Sequence, residues 1–451
     1  MPTARSAKLD STRSLAAGDP TGTLLHFVPE QQFTNIMEDL AYEFRKRLYT
    51  PFVTVCMMVL QALNQDCSQR YAVSLTMQAR RAKGCTTGSS DPNAYCAARQ
   101  RLRLVLLLCL VEAVAAWLQD AARRYFWHNR RVLLLDGSSV SMPDTSENQA
   151  FFGQPSGQKP GCGFPVARLC ALFCLASGAL VDAMIGPLVQ SELSLWRSMM
   201  HKLRKGDIVV ADRHFCSFVD LATLAMRGVD AVVRLHQNRL FRRMGRRDYI
   251  AVWRRPLVCP AWMSDDAFQA LPTVLRVRII RYRVTKSGRR TGRIVLATTL
   301  LDQKLYPADE LAALYDRRWE IEVDFNHLKT TLQMDVLSAQ SPEVILKEVW
   351  AHFLAYNILR ALMWEAGQRY GVDPLRLSLK GVLQQVLAHR QHVGVFAPRT
   401  VVFMLLSKIQ SNRIPNRPDR CEPRAKKRRP KEYDLMNEPR NVLRGRLLCE
   451  A

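Results

Sequence analysis

Two short apolar runs constrain the fold of this chain more than any other feature. Val132-Leu-Leu-Leu-Asp136, followed by Gly137, and Ile208-Val-Val-Ala-Asp212 are each an apolar stretch of four residues closed by an aspartate. Runs this short fall below helical length and read as buried strands. Each strand then presents a carboxylate at the carboxyl edge of its sheet. Either acid alone says little, because aspartate commonly follows an apolar strand. Joined by a third acid on a helix, the two would form a cluster of hard oxygen donors suited to Mg²⁺. A pair of such ions about 4 Å apart activates water and stabilises the leaving oxygen in phosphodiester hydrolysis.

Helical and stranded textures alternate around these runs, so the expected class is α/β (mixed α+β). Residues 1–28 read as a flexible N-terminus. Residues 29–130 carry amphipathic helical stretches (Phe33–Leu48, Thr54–Leu63, Ala94–Phe126) broken at Pro51, Gly84–Gly88 and Asp91-Pro92. Arg99, Arg101 and Arg103 suit either a DNA-facing helix start or a solvated face. Residues 131–235 form the first part of a core. It holds a β-hairpin across Ser177-Gly178, helices at Glu192–Leu203 and Ser217–Met226, and a strand at Ala231–Leu235. The second part, 302–395, is helical; Ser341-Pro342-Glu343 opens a long helix to about Ala366.

The 451 residues carry 65 Lys and Arg against 40 Asp and Glu, a formal charge of +25. With 48% hydrophobic and 23% charged residues, wholesale disorder is excluded, and the excess of cations points to a polyanionic partner. About half of that excess lies in 234–293, where 16 Lys and Arg meet three acids. Here Arg276 and Arg278 alternate with Val277 and Ile279; after a slip at Ile280, Arg281 and Arg283 alternate with Tyr282 and Val284. The pattern predicts a bulged strand with one basic face. It turns at Lys286–Arg290 and pairs with Ile294–Leu301. Arginines on such a face contact DNA phosphates or simply face solvent. Trp253 and Trp262 read as core. Residues 236–301 are thus a basic, β-rich insertion and 396–451 a basic tail, with six cations in Arg424–Lys431.

Other classes fit less well. The longest apolar run, Leu104–Leu118, is interrupted by Glu112 and falls short of the roughly 20 residues that cross a bilayer, so no membrane is expected. The first residues lack the apolar centre of a signal peptide. The 12 cysteines form no CxxC and the nine histidines no zinc pattern, so they read as reduced cytosolic thiols and core filler. Neither a P-loop nor GxGxxG occurs, and no nucleotide cofactor is expected.

A helix expected over Leu314–Met334 supplies the third acid. At 100° per residue from Tyr315, Arg318 falls at about 300°, Lys329 at about 320° and Glu322 at about 340°. Tyr315, Arg318, Glu322 and Lys329 therefore share one stripe. Leu314, Ile321, Phe325, Leu328 and Leu332 form the adjoining apolar face, while Glu320 and Asp324 point away. An ordinary helix with an Arg318–Glu322 pair has the same look.

Tyr315-x2-Arg318-x3-Glu322-x6-Lys329 matches the YREK signature of bacterial insertion-sequence transposases. Leu135-Asp136-Gly137, Pro143–Asn148, Phe151-Phe152-Gly153, Ala211-Asp212-Arg213 and Phe325–Asp335 match as well. From about Gln32 to the basic tail the chain resembles the insertion sequence four family of DDE transposases. The resemblance implies an RNase H-like catalytic core with an inserted β-rich subdomain and an N-terminal helical, DNA-binding domain. It implies that Asp136, Asp212 and Glu322 are catalytic and bind two Mg²⁺, with Mn²⁺ able to substitute. Tyr315, Arg318 and Lys329 would hold DNA-end phosphates. Arg213, Arg276, Arg278, Arg281 and Arg283 are further candidate DNA contacts. The implied partners are double-stranded DNA, at element ends and target, and a second copy paired on those ends, in the cytoplasm at the nucleoid. Relatives that form a hairpin at the element end stack a flipped base on a tryptophan of the insertion, and Ile294–Leu301 has none. A stand-alone RNase H-like nuclease and a silent DNA-binding remnant are the alternatives.

Overall fold

In a computed structural model of the chain, the described residues are 24–45, 47–64, 66–82, 84, 88–236, 247–284, 292–389, 398–415 and 435–449. The expected segment before residue 24, the Lys286–Arg290 turn and the Arg424–Lys431 run lie outside them. The strands are β1 (Val132–Ser141), β2 (Val166–Cys174), β3 (Leu180–Pro187), β4 (Ile208–Ala211), β5 (Asp230–Arg234), β6 (Asp248–Arg254), β7 (Val274–Val284) and β8 (Gly292–Thr298). They make one sheet in the order β3-β2-β1-β4-β5-β8-β7-β6. β1, β2 and β3 are an antiparallel meander, and β4 and β5 run parallel to β1 on its other side. That arrangement is RNase H-like. Val132–Leu135, Ile208–Ala211 and Ala231–Val233 are buried throughout, as parallel strands covered on both faces must be. β1 runs on past Gly137 because its polar half, Ser138 to Ser141, goes on pairing with β2 after β4 has ended, and Ser141 adds a parallel bridge to Val336.

The inserted strands do not form a layer of their own. β8 hydrogen-bonds to β5, from Val232↔Thr298 to Arg234↔Leu296, so β6 to β8 widen the main sheet. β7 corrects the expected bulge. Its pairing with β6 and with β8 keeps one register from Val274 to Val284, so side chains alternate without a slip. Arg276 and Arg278 consequently face one side of the sheet, and Arg281 and Arg283 the other; there is no single basic face. Nor does Arg278 reach DNA. It is 0% exposed, and its guanidinium is bound bidentately to Asp248 at 2.8 and 2.6 Å and to the Tyr306 carbonyl at 2.6 Å. Trp253 is buried as expected, whereas Trp262 is half-exposed beneath the Arg197 guanidinium, 3.6 Å from its ring centroid.

A buried arginine and an exposed one on the same strand should separate in solution. Arg278→Ala strands Asp248 and is expected to cost about 3 kcal/mol in denaturant unfolding. Arg276→Gln should leave stability within about 0.5 kcal/mol. It should flatten the salt dependence of DNA binding by up to ~0.9 log unit if Arg276 touches a phosphate.

The long helix Pro342–Tyr370 is the spine of the helical side, and nearly all of it is buried. It starts where expected, although the Ser341 hydroxyl makes no capping bond, and ends four residues late at Gly371, whose φ of +64° closes the helix. Against it pack Pro51–Leu63 and Leu104–Ala121. The latter is the one helix among the described residues long and apolar enough to cross a membrane; here Leu106, Leu107, Leu110, Val114 and Leu118 are buried in the core. The stretch expected as one helix over Ala94–Phe126 is two, Asn93–Arg101 and Leu104–Ala121, with Leu102 and Arg103 extended between them. The break lets Arg103 bond the Leu40 carbonyl at 2.8 Å and the Tyr42 hydroxyl accept its N–H at 3.0 Å. The helix expected over Phe33–Leu48 runs instead from Glu30 to Asp39, and Ala41, at φ +45°, turns the chain away. Lys347, almost wholly buried, donates to the carbonyls of Arg99 (3.2 Å) and Gln100 (2.6 Å), fastening the N-terminal helices to the spine.

Candidate active site

The parallel register sets the site. Leu135 of β1 pairs with Ala211 of β4, which pairs with Val233 of β5. One residue further along, Asp136, Asp212 and Arg234 stand in a row at the carboxyl edge, on neighbouring strands about 5 Å apart. Each aspartate accepts the N–H of the residue after it, Gly137 at 2.8 Å and Arg213 at 2.7 Å. These bonds hold the carboxylates where β4 ends and β1 runs on beside β2.

The third acid arrives on a helix that is less regular than expected. Ala308–Asp316 is α-helical, Arg317–Trp319 tightens to a 3₁₀ turn, Glu320–Asn326 is again α, and His327–Thr331 widens to a π turn. The apolar face holds: Leu314, Ile321, Phe325, Leu328 and Leu332 are all buried. Arg318 sits between acids, its Nη2 2.8 Å from Glu322 and its Nη1 3.3 Å from Asp136. One planar guanidinium thus keeps Asp136 and Glu322 within roughly 8 Å of each other. Tyr315 is buried with its hydroxyl bonded by Arg318 and under the charge of Asp212. Lys329 stands within the π turn, where a uniform 100° step no longer holds, and its ammonium pairs with Asp335 at 3.0 Å. Arg213, Arg276 and Arg283 are exposed, and Arg281 is half-buried beside the Tyr249 ring. Glu320 pairs with Arg317 at 2.7 Å, and Asp324 is buried with Arg360; both point away from the site as expected.

Charge is crowded here. Burial pushes the Asp136 carboxyl above its usual pKa; the Gly137 N–H and Arg318 oppose that, and the charges of Asp212 and Glu192 add to it. Burial pushes the Tyr315 hydroxyl up as well, with Asp212 reinforcing it. Burial works against the Arg318 charge, but Glu322, Tyr315 and Asp136 outweigh it and hold the guanidinium firmly protonated.

Sequence reasoning missed two neighbours. Arg234 follows from register alone and acts electrostatically on Tyr315. Glu192 leads the helix Glu192–Met199, and its carboxylate lies against the Cα of Gly137. A glycine inside a strand was the available signal. Among the described residues no three Asp, Glu, His or Cys side chains close on one point at ligating distance. The donors nonetheless suit a hard divalent cation in kind, and positive charge already stands between two of them in the form of Arg318.

Residues 127–358, just over half of the chain, match the family described as "Transposase DDE domain". The transposase InsG of insertion sequence element IS4, from Escherichia coli (strain K12), is 25% identical over 76% of this chain and 78% of its own. A putative transposase, InsZ, of the same organism is 33% identical over 30% of this chain and 46% of its own. A structure of the piggyBac transposase synaptic complex with hairpin DNA aligns over 88% of this chain and 86% of its own at 11% identity. Its TM-score of 0.40 is too low to bear on the fold. The matched segment runs from just before β1 through the Asp136 and Asp212 strands to the middle of the long helix, and the chain belongs to the DDE transposases of bacterial insertion sequences.

Proposed function

We propose that the chain cuts the ends of its own insertion sequence and joins them to target DNA, with Asp136, Asp212 and Glu322 as the metal-binding acids. The observation that carries this reading is the parallel register that sets Asp136 beside Asp212, with Arg318 linking Asp136 to Glu322. Divalent cations bound there would supply activation of water and neutralisation of the leaving oxygen. Arg318 compensates two of the acids in the free protein; relieved of that task, its guanidinium is free to grip a phosphate oxygen. Tyr315 orients Arg318 through its hydroxyl. Water adds to the phosphorus at the element end and the 3′-oxygen leaves as a hydroxyl. That hydroxyl then attacks a phosphodiester of the target and displaces the target's own 3′-oxygen, so one bond forms for each that breaks and no external energy source is needed.

The finer assignment, to the branch with the Tyr315, Arg318, Glu322 and Lys329 signature, is part of the same proposal. So are the use of two Mg²⁺ or Mn²⁺ ions, a dimer on paired ends, the domain division drawn from the sequence, and DNA contacts from Arg213, Arg276, Arg281 and Arg283. Purified protein with end-labelled duplex and Mg²⁺ should nick at the element boundary and leave 3′-hydroxyls, and chelation should stop it. Cleavage indifferent to the ends would indicate a plain nuclease; binding without cleavage would indicate a silent remnant. Lys329→Ala is expected to keep metal binding but to weaken the end complex about tenfold and slow cleavage about 10²-fold, through misplacement of the scissile phosphate. Gel shifts and calorimetry on the same preparation read both arms, and parent-like behaviour would make the lysine merely a partner of Asp335.

A further inference from the structure

Between the N-terminal helices and the catalytic core lies a cavity of about 1220 Å³, larger than the roughly 300–1,000 Å³ of small-molecule pockets. The helix Asn93–Arg101 lends it Arg99 and Gln100, and the start of the helix Ser146–Phe152 lends it Thr145 to Glu147 and Phe151. Residues between Ser338 and Leu346 close the core side. Its walls are fastened before anything enters. The Thr145 hydroxyl donates to the Gln340 carbonyl at 2.9 Å, and Lys347 bonds the carbonyls of Arg99 and Gln100. Arg99 lines the cavity at only 2% exposure, so it forms the floor. Its Nε has no hydrogen-bond partner among the described residues. Glu348 balances the guanidinium from 3.6 Å, beyond hydrogen-bond reach. The oxygens of Glu348 are engaged with the Ser338 and Ala339 N–H groups and the Ser338 hydroxyl, at 2.8–2.9 Å. Beside this floor the 29-residue long helix begins, and no side chain caps it, so its first amides and the positive end of its dipole open on the cavity. Phe151 is 49% exposed and braced by the buried Phe152, ring centroids 4.7 Å apart. Two acids share the lining. Glu343 is paired with Lys347 at 2.6 Å, and Glu147 is exposed on the first turn of its helix, so the anion-seeking part of the cavity is its floor.

We propose that this cavity receives unpaired nucleotides of a single DNA strand, with a base stacked on Phe151 and a phosphate directed at Arg99 and the start of the long helix. A sunken cation with a spare donor takes a phosphate oxygen, and an exposed aromatic ring takes the face of any base. The depth of Arg99 decides between strand and duplex. A paired backbone is held at the surface by its partner, whereas a single strand can turn a phosphate inward. The inference rests on the reading given above only for where such a strand comes from, namely the strand set free when an end is cut. It also gives the N-terminal helices a share in holding DNA that no exposed arginine is needed to supply.

Binding of the full chain to two DNA probes, without divalent cations, tests this apart from cleavage. One probe is a blunt duplex carrying the element end; the other adds a single-stranded extension of about four nucleotides that contains 5-iodouracil. The extension should tighten binding about tenfold. Phe151→Ala alters an exposed ring and should remove most of that gain while leaving blunt-duplex binding within about twofold. Gln340→Glu sets a negative charge in the lining and should do the same. Arg99→Gln should also lose the gain; because that side chain is buried, its thermal midpoint is read alongside, and the two exposed variants decide the matter if it unfolds. On illumination the extension should crosslink to the peptide that holds Phe151. Equal binding of both probes by the parent, a gain that survives Phe151→Ala and Gln340→Glu, or crosslinks confined to other peptides would overturn the inference. Asp136→Asn separates it from the metal-site reading. That variant should keep the gain from the extension, and if it nonetheless cuts like the parent, the metal-site reading falls and this one stands.

Discussion

Asp136→Asn, Asp212→Asn and Glu322→Gln should each lower metal-dependent cleavage of end-containing DNA by at least ~10³-fold while leaving end binding within about threefold. The amides keep an acceptor oxygen for the Gly137 and Arg213 N–H groups and for Arg318, so the backbone of the edge has no reason to move. What they lose is negative charge at the only point where Asp136 and Asp212 are adjacent. Stability should not suffer and should rise slightly for Asp136→Asn at neutral pH. The Asp136 pKa is raised in the folded chain, chiefly by burial. The native state therefore binds that proton more tightly than the unfolded one, and the stability it lends is lost as pH rises through the folded pKa. A variant that cuts at the parental rate, or that fails to bind ends because it has unfolded, would remove the acid from the reaction scheme.

The largest loss of stability is expected at a residue with no part in the chemistry. Asp324 sits two residues beyond Glu322 and is 5% exposed. It accepts from the Tyr356 hydroxyl at 3.0 Å and from the Arg360 guanidinium, whose Nε in turn bonds that hydroxyl at 2.9 Å. Arg360 is itself 5% exposed. Asp324→Ala leaves a buried guanidinium without its counter-charge and should cost about 3–5 kcal/mol, read as a fall in denaturant midpoint at unchanged slope. Asp324→Asn retains an acceptor and should cost clearly less. Because the network docks the Glu322 helix on the long helix, Asp324→Ala should also slow cleavage at temperatures where the chain remains folded. An unchanged midpoint would show that this pair bears no load.

The two aspartates were legible because strands covered on both faces must be apolar along their whole length, so the first polar residue marks the edge. Arg318 and Glu322 were legible because four residues make about one turn whatever follows. For Lys329 the spacing told of two turns beyond Glu322 but not of the π turn it stands in or its pairing with Asp335. Arginine periodicity could not distinguish a wet guanidinium from a dry one. The acid that buries Arg278 is Asp248, on another strand 30 residues away, and no local pattern announces it. Glu192 escaped notice for a related reason. An acid after a serine reads as a helix start, and only the backbone path of β1 shows what that acid leans on.

The ladder from β3 to β6 is unbroken, and this bears on how force travels through the enzyme. A module tethered by loops could swing toward DNA and leave the acids where they were. Strands bonded edge to edge cannot: tilting β7 or β8 must tilt β5, and with it the strand that ends at Asp212. Any bend imposed on the widened half of the sheet is therefore delivered to the edge that carries Asp136 and Asp212 as strain, and the widened half is a lever arm with no joint in it.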